Sequence, residues 1–183
     1  PGGDQPDNTT FAPKVETVFG GFEVGVGGLY RFDEKIAPAV MATVTGSIWK
    51  FNVFAEGVAR YGSDKRFAVE DSESFFGVSA ADRDDEWFYS ATAGGQYSYS
   101  DDDGYFNLSI LAQYFYNGAG YTEKFLDDNA AGIAALIVAE ELSPIDIYYQ
   151  PGIHYAGANV SWSSMFDSDF SLSTLWLGNL SDN

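Results

Sequence analysis

The chain has 183 residues, with 27 Asp and Glu against 9 Lys and Arg, one His and no Cys. A net charge of −18 excludes the basic surface that a nucleic-acid backbone needs, and it argues against docking onto anionic lipid by charge. No run approaches the roughly 20 apolar residues of a membrane-spanning helix, yet 45% of the chain is hydrophobic and 17% aromatic.

Residues 1–14 are polar with Pro and Gly and read as a tail or loop. The opening PGGDQPDNTT has neither the basic region nor the apolar run of an export signal. An exported chain with this start would be in mature or truncated form. From 15 onward, strand patterns predict elements at 15–32, 36–46, 50–61, 87–100, 105–116, 152–164 and 170–180. The first is expected to break at Gly20–Gly21. In the second, IAPAVMATVTG, Pro38 suits a strand end or an edge.

Four of these segments share a two-residue rhythm, which puts alternate side chains on opposite faces of a strand. Segment 22–32 sets Phe22, Val24, Val26, Gly28, Tyr30 and Phe32 against Glu23, Gly25, Gly27, Leu29 and Arg31. Segment 51–61 sets Phe51, Val53, Ala55, Gly57, Ala59 and Tyr61 against Asn52, Phe54, Glu56, Val58 and Arg60. Segment 88–100 places Tyr89, Ala91, Ala93, Gly95, Tyr97 and Tyr99 on one face and a mostly polar set on the other. Segment 106–116 places Phe106, Leu108, Ile110, Ala112, Tyr114 and Tyr116 opposite Asn107, Ser109, Leu111, Gln113 and Phe115. Each apolar face opens and closes with an aromatic. A transmembrane β-strand needs about 9–11 residues, apolar toward lipid, with aromatic girdles at both interfaces. The pattern therefore predicts an all-β fold: an antiparallel transmembrane β-barrel, or part of one, with about 7–8 strands in this chain. The lipid face would hold Val53, Ala55, Ala91, Ala93, Leu108 and Ile110. The rival is a soluble β-sandwich whose apolar face is its core.

Asp33–Lys35, Ser47–Trp49, Asp101–Gly104 and Met165–Asp169 are short connections with turn residues. The long ones are 62–86 and 117–151. Parity places both long connections at one end of the strands, with DDDG and FDSD at the other, as in barrels. The acidic 62–86 reads as a solvated, mobile loop. Within 117–151, NAAGIAALIVAEELSP predicts one helix over 129–142, capped by Asp127 and Asp128 and ended by Ser143–Pro144. It would fold into the lumen and narrow it, or lie on the rim or against a neighbouring subunit.

The hairpin HYAGANVSWSSMFDSDFSLSTLWLGNLSDN at 154–183, with the aromatic-rich hairpins at 87–116, resembles porin-like outer-membrane barrels of Gram-negative and spirochaete type. The resemblance implies a bacterial outer-membrane location and a single barrel domain over 15–183. Such barrels end in a strand with a terminal aromatic. This chain ends Ser181–Asp182–Asn183, which suggests truncation at that end.

Candidate site residues follow from the polar faces. Glu23, Arg31, Asn52, Glu56, Arg60, Gln96, Asn107, Gln113 and Asn159 would line a pore. Glu56 and Arg60 would set a transverse field. His154 could pair with Ser161 or Ser163 in a rim hydrolase, but it shares parity with the lipid face while both serines face away. No enzyme activity is expected. One His and no Cys make zinc improbable. Asp101, Asp102 and Asp103, or Asp167 and Asp169, read as solvated turns because they lack a calcium-ligand spacing. GVGG at 25–28 is no phosphate loop. The expected function is passive passage of small solutes through a polar lumen, with membrane lipid as the surroundings and no cofactor. A homo-oligomer stays open. A non-conducting adhesion or structural barrel and a soluble β-sandwich binder are the alternatives.

Overall fold

The computed structural model describes residues 9–31, 37–102, 106–149, 151–164 and 168–181. The expected turn Asp33–Lys35 and the residues Asp103, Gly104 and Asp167 lie outside them.

The chain's start is not all tail. Strands β1 (Thr10–Phe11) and β2 (Lys14–Phe19) both pair with β3 (Phe22–Arg31). Thr10 sits opposite Arg31 and Lys14 opposite Gly27. These are steps of one ladder, so β1 and β2 form one strand interrupted at Pro13. The Pro13 carbonyl still accepts from Gly28 N at 3.0 Å, which carries the ladder across the gap. The predicted break at Gly20–Gly21 is the β2–β3 turn. Both glycines have positive φ, 59° and 85°, the left-handed backbone that a tight two-residue hairpin requires.

Next come β4 (Ala39–Ile48), β5 (Phe51–Tyr61), β6 (Phe67–Glu70), β7 (Val78–Ala81), β8 (Trp87–Ser100) and β9 (Asn107–Asn117). The helices α1 (Glu123–Asp128), α2 (Ala130–Val138) and α3 (Pro144–Tyr148) precede β10 (His154–Ser163) and β11 (Leu172–Asn179). The main sheet is antiparallel throughout. It has nine strands in the order β1/β2, β3, β4, β5, β8, β9, β10, β11, with β6–β7 apart as a two-stranded sheet. The all-β antiparallel expectation thus holds. The barrel is another matter: among the described residues no pairing joins β1/β2 to β11, and the sheet is open at those two edges.

The register is staggered. Glu16, Gly25, Thr43, Glu56, Thr92, Phe115, Tyr155 and Asn179 lie opposite one another in succession across the sheet. From that level β3 runs on to Arg31 at the end of the long connections. β10 stops one residue above it at His154, and extends the other way to Ser163. The strands therefore slide toward the short-turn end as the sheet is crossed.

Two expectations need correction. The 62–86 connection is not a structureless loop, because β6 and β7 pair within it. The 117–151 connection holds three helices rather than one. Thr122, not Asp127 or Asp128, caps a helix, its hydroxyl accepting from Phe125 N at 3.1 Å. Pro144 does not merely end a helix. It opens α3, where a missing N–H costs nothing. Together these segments form a cap whose core is Ala68, Ile133, Leu142 and Ile147, packed with Tyr121, Phe125, Leu126 and Leu136. A second cluster, Phe67, Phe88 and Ala119, joins the cap to the end of β8. The helices touch mainly β6 and β7. The apolar run of α2 is thus buried against the hairpin of its own cap, through Ile133 and through Gly132, which abuts Val78 and Phe76.

Glycines within the sheet make room for rings. The Phe54 ring lies over Gly94, where an added Cβ would come within 2.5 Å of it. Gly94→Val should therefore destabilise by about 1–3 kcal/mol through overpacking, read by denaturant unfolding. An unchanged midpoint would show that Phe54 has room to turn away.

Candidate functional site

The pairings assign every strand residue to one of two faces. One face carries Phe19, Phe22, Val24, Val26, Val44, Val53, Ala55, Ala91, Ala93, Ala112, Ala158 and Val160 in a continuous apolar surface. Among the described residues no element covers it. Val15, Phe19, Val26, Val40, Trp87, Tyr89 and Trp176 are each more than half exposed. All the fully buried hydrophobics, by contrast, lie in the cap or directly beneath it.

Aromatic side chains border that face at both ends. Near the short turns, Trp49 and Phe51 lie 6.1 Å apart and Phe51 and Tyr97 5.2 Å, and Phe106 bridges Tyr99 and Trp162 at 5.9 and 5.1 Å. Toward the cap, Tyr61 meets Trp87 at 5.2 Å, and His154 packs between Tyr114 and Tyr116. The 11 residues of β5 join the two rows. They span about 33 Å along the strand, or about 25 Å along a membrane normal at ~40° tilt. Ala93, four residues from both Tyr89 and Tyr97, sits midway. Ile110, four residues from both Phe106 and Tyr114 on its own strand, sits midway too, while Leu108 lies opposite Tyr99.

The other face gathers all nine predicted pore-lining residues. Asn52, Gln96 and Asn159 share one level, with Leu111 between Gln96 and Asn159. Glu23 and Gln113 share another, and Glu56 lies between Thr43 and Thr92. Arg60 lies opposite Phe88, Arg31 ends β3, and Asn107 lies opposite Ser100 and Ser163. Side-chain bonds tie the short-turn half together. Gln96 Nε2 donates to Ser109 Oγ at 2.9 Å, Ser100 Oγ to Asn107 Oδ1 at 2.6 Å, and Asn159 Nδ2 to Ser173 Oγ at 3.2 Å. Glu56 and Arg60 are not in an ion pair with each other or with any other described residue. The Lys14–Glu16 pair lies on this face at the β2 edge. Near β11 the face turns apolar: Leu111, Phe115, Leu175 and Leu177 line a cleft with Gln113, Asn159 and Asn179.

His154 and the serines proposed with it are separated as parity requires. The His154 Nδ1 lies 2.6 Å from Tyr114 Oη on the apolar face, while Ser161 Oγ bonds Asn159 and Ser173 on the polar one. Asp101 works as a turn residue, its carboxylate accepting from Phe106 N at 2.9 Å. Among the described residues no group of three His, Asp or Glu is placed to hold a metal ion.

The cap packs on the sheet at Phe88, opposite Arg60. The Phe67 and Phe88 rings stack at 5.2 Å and 4°, with the Arg83 guanidinium 5.0 Å from both ring centres and Lys65 Nζ 5.0 Å from Phe67. Burial, and the nearby positive charge of Arg60, hold the Lys65 ammonium below the ordinary lysine value, against the pull of Asp146. Burial likewise pushes the Tyr121 phenol up, although Ala68 N donates to its oxygen at 3.0 Å. The hydrogen bond from Arg83 holds the exposed Glu86 carboxyl below its usual range. The sequence reading missed Phe67, Tyr121 and Arg83. The only signal was a four-residue alternation, FAVE, amid charged residues. No family model, no curated protein and no solved structure matches the chain.

Proposed function

We propose that this chain forms the wall of a transmembrane β-barrel in a bacterial outer membrane, with its polar face lining a passive route for small solutes. The observation that carries the reading is the uncovered apolar face bounded by two aromatic rows. In water, a monomer rarely leaves so much contiguous apolar surface bare, and a sandwich would bury it under a second sheet. Lipid covers it at no cost, and the spacing of the rows suits a hydrocarbon band about 25 Å tall. The staggered register supports closure, because a sheet curls into a barrel only with such a shear.

The polar face supports the route. An unpaired charge on lipid is costly, so Glu56 and Arg60 belong on the aqueous side. In planar bilayers at asymmetric salt, Glu56→Gln should shift the reversal potential toward weaker cation preference and Arg60→Gln toward stronger. Unchanged potentials in both variants would leave a pore and remove these residues from its filter.

A second reading has its own support. The chain's buried core lies in the cap rather than in the sheet, which suits a non-conducting barrel that displays a folded outer module for structure or adhesion. Protein that inserts into bilayers yet gives no conductance step would favour it over the channel.

A further inference from the structure

Among the described residues the sheet is open at two edges, β1/β2 and β11. We propose that the β1/β2 strand pairs with β11 of the same chain and closes the sheet into a barrel of eight strand positions, with Phe11 opposite Trp176. The inference rests on the membrane-barrel reading and adds who closes the wall and what can pass.

The eight positions form an up-and-down meander, so its first and last strands run antiparallel and can share an antiparallel ladder. The stagger sets the register. Phe11 lies five residues above the level shared by Glu16 and Asn179, and Trp176 lies three below it. Of the aromatics on the apolar face, Phe11, Tyr30, Tyr61 and Trp87 share one level, Tyr116 and His154 lie four residues below it, and Trp176 lies eight below. The slide across the sheet is therefore eight residues. An even slide keeps apolar residues on one face and polar residues on the other, where a slip of one would invert every side chain. In this register Lys14 meets Ser173 on the polar face and Val15 meets Leu172 on the apolar one.

The side chains agree. Leu175 and Leu177 stand on the face that carries the polar candidates, 65% and 73% exposed. A wide, water-filled lumen would leave them wet. The interior of an eight-strand barrel is just wide enough for side chains to fill. There they would join Phe54, Phe115, Leu111 and Tyr155, which already point inward. An interior filled in this way leaves room for water and small ions at most, and larger molecules are excluded.

The chain has no cysteine, so introduced pairs report alone. The protein carrying Phe11→Cys and Trp176→Cys is reconstituted in phosphatidylcholine vesicles, oxidised with copper phenanthroline and analysed by mass and non-reducing gel. A disulfide within one chain as the dominant product is expected. The control pair Phe11→Cys with Leu172→Cys, four residues out of register, should stay largely reduced. Ala12→Cys with Leu175→Cys repeats the test without removing two aromatics, should their loss impair insertion. A disulfide-linked dimer would show that a second copy fills the edge and would overturn the proposal. So would the absence of a disulfide in both in-register pairs. A disulfide within the chain in protein that fails to float with the vesicles would keep the closure and remove the membrane reading.

Discussion

In the proposed membrane barrel, Ala93→Arg should destabilise by about 2–4 kcal/mol, the cost of a lipid-facing Arg at the bilayer midplane. Ala93 lies opposite Ala55 and Tyr114 on the apolar face, midway between the two aromatic rows. Its neighbour Thr92 faces the other way, beside Glu56. Thr92→Arg should therefore cost much less, and next to that carboxylate it gains a partner. Urea unfolding of both variants in vesicles measures the difference. Equal costs would mean that the two faces see the same solvent, as in a soluble sheet. Ile110→Arg should cost about as much as Ala93→Arg, because Ile110 is likewise four residues from the aromatics Phe106 and Tyr114 on its own strand.

Phe67→Ala should remove about 3–5 kcal/mol from the cap, the usual range for emptying a buried Phe site. Phe67 is 1% exposed. Its ring stacks on Phe88 and meets Tyr121, so it joins the β6–β7 hairpin, the helical connection and the end of β8. The loss is local. Protease should cut within 62–86 in the variant and spare the parent, while the sheet keeps its unfolding midpoint. A variant cap as resistant as the parent would show that the helices hold it without Phe67. A parent already cut there would contradict the packed core of Ile133, Leu142 and Ile147.

The two prospects expose what the sequence could and could not tell. Ala93 was readable because a strand alternates strictly, so parity alone assigns a face, and long strands such as 87–100 repeat the signal many times. The same parity placed all nine polar candidates together and kept His154 away from Ser161. Height relative to neighbouring strands was not readable, since it depends on how they slide. The cap was not readable either. Its strands FAVE and VSAA have four residues each, too few to show a period against the surrounding Asp, Glu and Arg. Its helices are short, and Pro144 reads equally as the end of one or the start of the next. Open edges leave no mark on sequence, because pairing between the first and last strands depends on the stagger of every strand between them.

The proposed function stands on the apolar, aromatic-bordered face meeting lipid. Single nitroxide labels at Ala55, Ala93 and Ala112, set against labels at Thr92, Gln96 and Gln113, test it most directly in reconstituted vesicles. The first three should relax strongly with oxygen and weakly with a water-soluble nickel chelate, and the second three should do so far less. Labels at Ala55, Ala93 and Ala112 that respond to the nickel chelate as freely as a label on an exposed turn would contradict it.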